Sequence, residues 1–148
     1  MIRTVTSPNR TGPGIMRLLH NDPHKIADVR CDAEKWAADQ GLMSDVIDSV
    51  LIIVSELATN ALRYAAGPGI FVQLCAVRLP PDDACGVWIE VWDDARDVMP
   101  DRQEPDHIAE SGRGLFIVDQ ITGGFWGAYA RRDGKGKAVW AGLKIPAT

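Results

Sequence analysis

No stretch of this 148-residue sequence approaches the roughly 20 consecutive apolar residues of a membrane-spanning helix. Its first segment, MIRTVTSPNRTGPG, also lacks the apolar core of a secretion signal. Positive charge is not in excess, since 16 Lys and Arg face 20 Asp and Glu. The resulting net charge of -4 gives no broad attraction to nucleic acid or to an anionic membrane surface. We therefore expect a cytoplasmic protein that binds neither, and any phosphate binding must be local.

Cysteine is scarce, and Cys31, Cys75 and Cys85 show no paired C-x-x-C spacing. Neither a disulfide framework nor a zinc site is indicated, so we expect reduced, packed thiols. The 3 histidines are scattered and match no metal-binding spacing.

The hydrophobic periodicity predicts a two-layer α/β sandwich of the α+β kind, with a mostly antiparallel mixed sheet and helices on one face. Residues 1–14 are expected to be a flexible N-terminal segment, and residues 15–148 the domain. The predicted elements are a strand at 15–19, a helix from Asp22-Pro23 to Gly41, a helix at about 45–66, strands at 70–77 and 87–92, a helix at 115–122, and strands at 125–131 and 138–145.

The second helix combines a wide apolar face with a polar strip, because Glu56, Asn60 and Arg63 are spaced by four and three residues. Asn60 could supply an oxygen ligand to Mg²⁺, while Glu56 orients or deprotonates a nucleophile. For an isolated E-x-x-x-N, a solvated strip or a cap on a neighbouring element is the commoner explanation.

Two further features point to a nucleotide. Asp93 follows a strand of alternating apolar residues and could accept a hydrogen bond from an adenine amino group, although turn aspartates are common. Gly112-Arg113-Gly114 opens a helix and could direct backbone N–H groups toward phosphates, although it could equally be a helix-entry turn. Residues 97–111 are polar, contain two prolines and predict a mobile loop.

The five tryptophans lie inside predicted elements without basic neighbours, so packing is favoured over base stacking. Trp88 and Trp92 share one side of their strand with Glu90, opposite the residues of the core side. We predict that this side is an interface, with a second copy of the chain, in a homodimer, as one candidate partner.

The motifs occur in the order SELATNALRYA, a strand ending in Asp93, a loop, SGRGLFIV and GKAVWAGL. In that order they resemble the GHKL ATPases, which have the Bergerat nucleotide-binding fold, and in detail the bacterial anti-sigma-factor serine kinases. The resemblance covers about residues 15–145. Several weak motifs in the right order make a strong joint signal.

The resemblance implies ATP and Mg²⁺ as cofactors. It makes Ser55–Ala65 the N box, with Glu56 as general base and Asn60 as the Mg²⁺ ligand, and residues 97–111 the ATP lid. Asp93 would anchor adenine, and Gly112–Leu115 would line the phosphates. The implied nucleotide-binding residues are Asn60, Arg63, Asp93, Ala95, Gly112, Arg113, Gly114 and Leu115.

In function, the resemblance implies an ATP-dependent protein serine/threonine kinase. Such a kinase phosphorylates a serine on an antagonist protein and sequesters a sigma factor, and it thereby regulates transcription by partner switching. A second hypothesis is a non-catalytic binding module of the same fold with weak or absent ATP turnover. The ATP-binding half of a histidine kinase ranks last, because no upstream helical hairpin with a phosphoacceptor histidine is expected.

Three positions depart from the family pattern. Tyr64 stands where many relatives have a histidine, and Asp93-Asp94-Ala95-Arg96 lacks the glycine of an Asp-x-Gly turn. Ala138 stands where many relatives have a threonine that helps to hold the adenine-site aspartate. The adenine end is therefore predicted to be the weaker part of the pocket.

Overall fold

The computed structural model describes residues 10–12, 14–20, 22–64, 69–93, 110–130 and 136–146, with the side chains of His20, Tyr64 and residues 110–113 left out. The elements in chain order are β1 (Ile15–His20), α1 (Lys25–Asp39), α2 (Ser44–Tyr64), β2 (Gly69–Leu79), β3 (Ala84–Asp93), α3 (Glu110–Thr122), β4 (Trp126–Ala130) and β5 (Lys137–Lys144). Among these residues, none of the three helices combines the length and apolar character of a membrane span.

The five described strands form one sheet in the order β1-β2-β3-β5-β4, and every pairing between them is antiparallel. The three helices pack on one face of this sheet, which we call the inner face; the other is the outer face. The predicted two-layer α+β sandwich is thus confirmed. Its sheet is antiparallel throughout the described strands rather than mixed.

Helix α1 begins at Lys25, two residues later than the Asp22-Pro23 signal suggested, because these residues form a preceding turn. The Asp22 carboxylate accepts a hydrogen bond from the His24 N–H within that turn (3.0 Å). Gly41 ends the helix as predicted, with a φ of 73°. The Gly41 N–H donates to the Ala38 carbonyl and the Leu42 N–H to the Ala37 carbonyl, which is a Schellman motif.

Helix α2 supplies the centre of the core. Its apolar residues recur every three to four positions, so one wide stripe faces the sheet and the other helices. The members that are at most 3% exposed are Val50, Ile53, Val54, Leu57, Ala58 and Ala61. Such a helix is held mainly by packing, and a polar residue on its buried stripe requires a partner or a function.

Helix α3 begins earlier than predicted, at Glu110 instead of Leu115, so Gly112-Arg113-Gly114 forms part of its first turns. The last two residues of the expected lid, 110 and 111, are therefore helical. Glycine destabilises a helix little at its start, because the first N–H groups have no intrahelical partner there. Burial of Leu115 and Val118 against the core then stabilises the helix. Gly123 and Gly124 end it with positive φ, as predicted.

The outer face carries a second hydrophobic cluster. Trp88 and Trp140 stack with ring centroids 4.6 Å apart, and Phe125 meets both rings edge-on. The buried members are Cys75, Val77, Leu79, Trp88 and Trp140. The packing role expected for the tryptophans is confirmed for four of the five, since Trp92 is only half-buried.

Candidate functional site

The predicted site residues lie on elements that contact one another. Helix α2 contacts α3, β3 and β5, and α3 also contacts β5. The chain positions involved are far apart in sequence, so the antiparallel sheet and the packing of α2 and α3 assemble the site. Its two ends are described separately, first the α2–α3 contact and then the β3–β5 contact.

At the α2–α3 contact, the Glu56 carboxylate lies directly against Gly114. A Cβ placed on Gly114 would overlap Glu56 Oε2 and would lie 3.4 Å from the Glu56 carboxyl carbon. Gly114 is buried, whereas Glu56 keeps part of its surface exposed. Position 114 thus requires glycine, because any side chain there would overlap the Glu56 carboxylate. This carboxylate is held beside the first turns of α3. We call Glu56, Asn60 and Gly114 the phosphate end.

The rest of the polar strip on α2 runs from buried to exposed. Asn60, one turn after Glu56, is 8% exposed, and Arg63 is exposed in the last turn of the helix. Asn60 is one of only four buried polar or charged residues within the described ranges. Burial of a carboxamide among apolar residues is costly unless its polar atoms are hydrogen-bonded.

At the β3–β5 contact, Asp93 and Lys137 form a buried ion pair. Lys137 Nζ lies 3.0 Å from Asp93 Oδ2, and the two side chains are 1% and 0% exposed, respectively. Asp93 ends β3 and faces Lys137 across the antiparallel register. We call these two residues the base end. Asp93 lies where it was predicted, but its carboxylate is already engaged by a cation.

Ala138 does not lie where the resemblance placed it. The register sets Ala138 opposite Trp92, whereas the residue opposite Asp93 is Lys137. Side chains alternate along a strand, so Ala138 shares the outer face with Trp140, and Lys137 shares the inner face with Val139. The expectation that Ala138 leaves Asp93 with one partner fewer is therefore wrong.

Lys137 is the site residue that the sequence analysis missed. The signal was partial, because Lys137 stands two positions before Val139 but lies just outside the strand predicted at 138–145. A lysine two positions from a core-facing residue of a strand is predicted to face the core, where it requires an anion. Asp93 is that anion.

The remaining predicted site residues lie at the start of α3 and in the expected lid. Leu115 is buried in the core, while Gly112 and Arg113 are described only as helical backbone. Ala95 and most of the expected lid, residues 97–109, lie outside the described residues, as do residues 1–9 of the expected flexible segment. Arg10 and Thr11 of that segment contact β2, where the Thr11 N–H donates to the Ala76 carbonyl.

The phosphate end fits a magnesium-bound nucleotide in its chemistry. Mg²⁺ commonly binds one or two protein oxygens and completes its shell with phosphates and water. Asn60 can supply one such oxygen, and within the described ranges no group of three or more His, Cys, Asp and Glu side chains offers a metal cage. The start of α3 directs N–H groups and the positive end of the helix dipole toward an anion. Gly114, which has no side chain, leaves room for the Glu56 carboxylate beside those turns.

Comparison with known families assigns most of the chain to one family. The family described as histidine kinase-like ATPase domain matches residues 19–143, which span all three helices and the phosphate and base ends. A comparison with curated proteins finds no match. The chain therefore belongs to the histidine kinase-like ATPase domain family, an ATP-binding family of the GHKL type.

Proposed function

We propose that this protein is an ATP-dependent serine/threonine kinase of the anti-sigma-factor type. It would phosphorylate a serine on an antagonist protein and sequester a sigma factor, switching between these two partners in the bacterial cytoplasm. The observation that carries the proposal is the Glu56 carboxylate held against Gly114 at the start of α3. A base beside a phosphate-binding helix start is the arrangement that phosphoryl transfer to a hydroxyl requires.

In the proposed reaction, Glu56 accepts the proton of the antagonist's serine hydroxyl. The serine oxygen forms a bond to the γ-phosphorus of ATP, and the bond from that phosphorus to the β–γ bridging oxygen breaks, which releases ADP. Asn60 holds its side-chain oxygen toward the phosphates, and the N–H groups at the start of α3 stabilise their negative charge. Bound Mg²⁺ would supply further neutralisation of phosphate charge.

Glu56 suits the role of a base because it retains part of its exposure. A carboxylate that reaches solvent can exchange its proton after each transfer, whereas one sealed in the core could not. The backbone of Gly114 lies directly against the Glu56 carboxylate and so limits the positions that this carboxylate can take. Positioning of this kind contributes to the rate by holding the reacting groups in line.

A second candidate function is a regulatory binding module of the same fold that transfers no phosphate. It is favoured by the base end, where Lys137 already engages the Asp93 carboxylate that an adenine amino group would use. Such a module would occupy its partner with weak or absent ATP turnover. The two candidates share the fold and differ in whether the γ-phosphate leaves the site.

Partner binding, including a homodimer, is proposed for the outer face. Leu18, Phe71 and Trp92 are neighbours across three adjacent strands, and Leu18 and Phe71 are 53% and 39% exposed. Met16, on the same face of β1, is 52% exposed. An exposed apolar row of this kind commonly marks a protein interface.

The kinase proposal is tested by incubating the purified protein with labelled ATP, Mg²⁺ and candidate antagonist proteins. We expect label on a serine of one antagonist with the wild type, and none with Glu56→Ala or Asn60→Ala. Binding of an antagonist without transfer of label would overturn the kinase and support the binding module. Absence of magnesium-dependent ATP binding would overturn the nucleotide role itself.

A further inference from the structure

The helix layer carries exposed apolar side chains around the contact between Glu56 and Gly114. Ile52 is 41% exposed, and Phe116 and Ile117 are 40% and 38% exposed. Ile52 lies one helical turn before Glu56 on α2, and Phe116 and Ile117 follow Gly114 within the next turn of α3. We call Ile52, Phe116 and Ile117 the helical patch.

The helical patch faces the same side of the molecule as Glu56. Ile52 and Glu56 project about 40° from each other around the axis of α2, on the side opposite its buried stripe. On α3, Phe116 lies about 160° around the axis from Val118, which is buried in the core. Both helices pack on the inner face of the sheet, so these side chains point away from the sheet.

The other large apolar side chains that are exposed within the described ranges lie elsewhere. Met16, Leu18 and Phe71 belong to the row on the outer face, and Met43 immediately precedes α2. Single exposed apolar residues are common on protein surfaces, whereas a group of them indicates a binding surface. On the helix layer, the group surrounds the carboxylate that the proposed reaction uses.

We propose that the helical patch is the docking surface for the antagonist protein, and that it binds an apolar side chain beside the acceptor serine, with a basic residue farther along. This inference rests on the proposed kinase function. It goes further by assigning the chemistry through which the protein substrate is recognised.

The position of Glu56 requires a protein substrate to cover the helical patch. The serine hydroxyl must come within about 3 Å of the carboxylate to transfer its proton. A specific protein interface buries roughly 800 Å² on each partner, which corresponds to a disc of about 16 Å radius. Ile52 is only about 6 Å from Glu56 along the axis of α2. An antagonist placed for transfer therefore covers Ile52, and an apolar side chain against it removes apolar surface from water.

The charges beside the helical patch favour a basic segment. Asp45 and Asp48 are exposed on α2, on the same side as Ile52 and farther from Glu56. A lysine or arginine of the antagonist would complement these carboxylates at the rim of the interface, where charge mainly speeds association and fixes orientation. The expected acceptor segment is therefore apolar next to its serine and basic beyond.

The test is the rate of label transfer from ATP at varied concentrations of the antagonist that the wild type labels. Ile52→Ser should raise the KM for this antagonist at least about tenfold, with little change in kcat or in the KM for ATP, because it removes contact made before and during transfer. Phe116→Ser, on the other helix, should act in the same way, so the test does not depend on the folding of one variant. Ile52→Leu keeps the apolar surface and should keep the KM of the wild type.

Met43→Ser is the matched control. Met43 is 59% exposed, but it lies about 20 Å from Glu56 along the axis of α2, outside the expected interface. Its substitution should leave the KM for the antagonist unchanged. Mass spectrometry of the labelled antagonist then locates the serine, and we expect an apolar residue beside it and a lysine or arginine farther along.

The outcomes separate this inference from the function on which it rests. An unchanged KM for the antagonist in either folded serine variant of the helical patch overturns the docking surface, and so does an equal rise in Met43→Ser. A labelled serine with only polar or acidic neighbours also overturns it. Absence of label on every candidate antagonist, from a wild type that binds ATP, overturns the kinase proposal and this inference with it.

Discussion

The two ends of the candidate site differ in how deeply their carboxylates are buried and in which groups lie against them. At the phosphate end, a partly exposed carboxylate lies against a glycine. At the base end, a carboxylate with 0% side-chain exposure is compensated by a lysine at 3.0 Å. The Glu56 carboxylate at the phosphate end can therefore reach a ligand, whereas the buried charges at the base end affect the stability of the sheet. Substitutions at the two ends should therefore have different consequences.

The largest effect is expected at Glu56. Glu56→Gln keeps the shape of the side chain but removes the base, so phosphoryl transfer to the antagonist should fall by roughly a hundredfold to ten-thousandfold. ATP binding and the thermal midpoint should change little, because Glu56 is not part of the buried core. Rates of label transfer, measured beside calorimetric ATP binding, test both statements. Full transfer by Glu56→Gln would remove Glu56 from the reaction.

At the base end, Asp93→Asn should act first on stability. It leaves the Lys137 ammonium buried without its anion, which costs about 3–5 kcal/mol in comparable buried pairs. Urea unfolding followed by tryptophan fluorescence measures the loss. Asp93→Asn combined with Lys137→Met removes both charges and should recover most of it; a double variant no more stable than the single would contradict the ion-pair account.

Gly114→Ala probes the phosphate end without removing a functional group. The added Cβ displaces the Glu56 carboxylate, whose end is flexible, so transfer should fall by about ten- to a hundredfold while stability changes little. Gly12→Ala is the matched control, because its Cβ would meet its nearest neighbour, Gln40 Oε1, only at 4.0 Å. Equal transfer rates for the two variants would show that the close approach has no role in the reaction.

Asn60→Ala should weaken magnesium-dependent ATP binding at least about tenfold. The reason is the loss of an oxygen ligand, so binding measured with a chelator present should be the same for variant and wild type. The side chain is 8% exposed, and its truncation also removes a little packing. A melting curve taken beside each titration separates the two effects.

The smallest effect is expected at Asp82, whose exposed ion pair with Lys144 (3.1 Å) contrasts with the buried pair at the base end. The hydrogen bond from Lys144 lowers the pKa of the Asp82 carboxyl from its ordinary 3.8. A lowered pKa stabilises the folded state above that value, and the contribution disappears as the pH falls through the folded-state pKa. Asp82→Asn should thus be barely less stable than wild type at neutral pH and no less stable in acid. A large difference would mean that exposed and buried pairs act alike here.

Much of the phosphate end was predictable, because its residues are local in sequence. Glu56 and Asn60 are one helical turn apart on a helix whose apolar period is unmistakable, and Gly114 is immediately followed by the apolar face of the next helix. The start of α3 was less predictable. Glycines lower helix propensity, so the sequence pattern placed the helix start after them, whereas the structure includes Gly112 and Gly114 in the helix.

The base end shows what local patterns cannot decide. By itself, the sequence determined the elements, their order, and the identity of Glu56, Asn60 and Asp93 as candidates. The partner of Asp93 depends on the register between β3 and β5, which are separated in the chain by α3 and β4. A shift of one residue in register exchanges the two faces of a strand. The register therefore decides whether Ala138 or Lys137 lies opposite Asp93. Only the assembled sheet sets that register, and the register in turn brings Lys137 and Asp93 together as an ion pair.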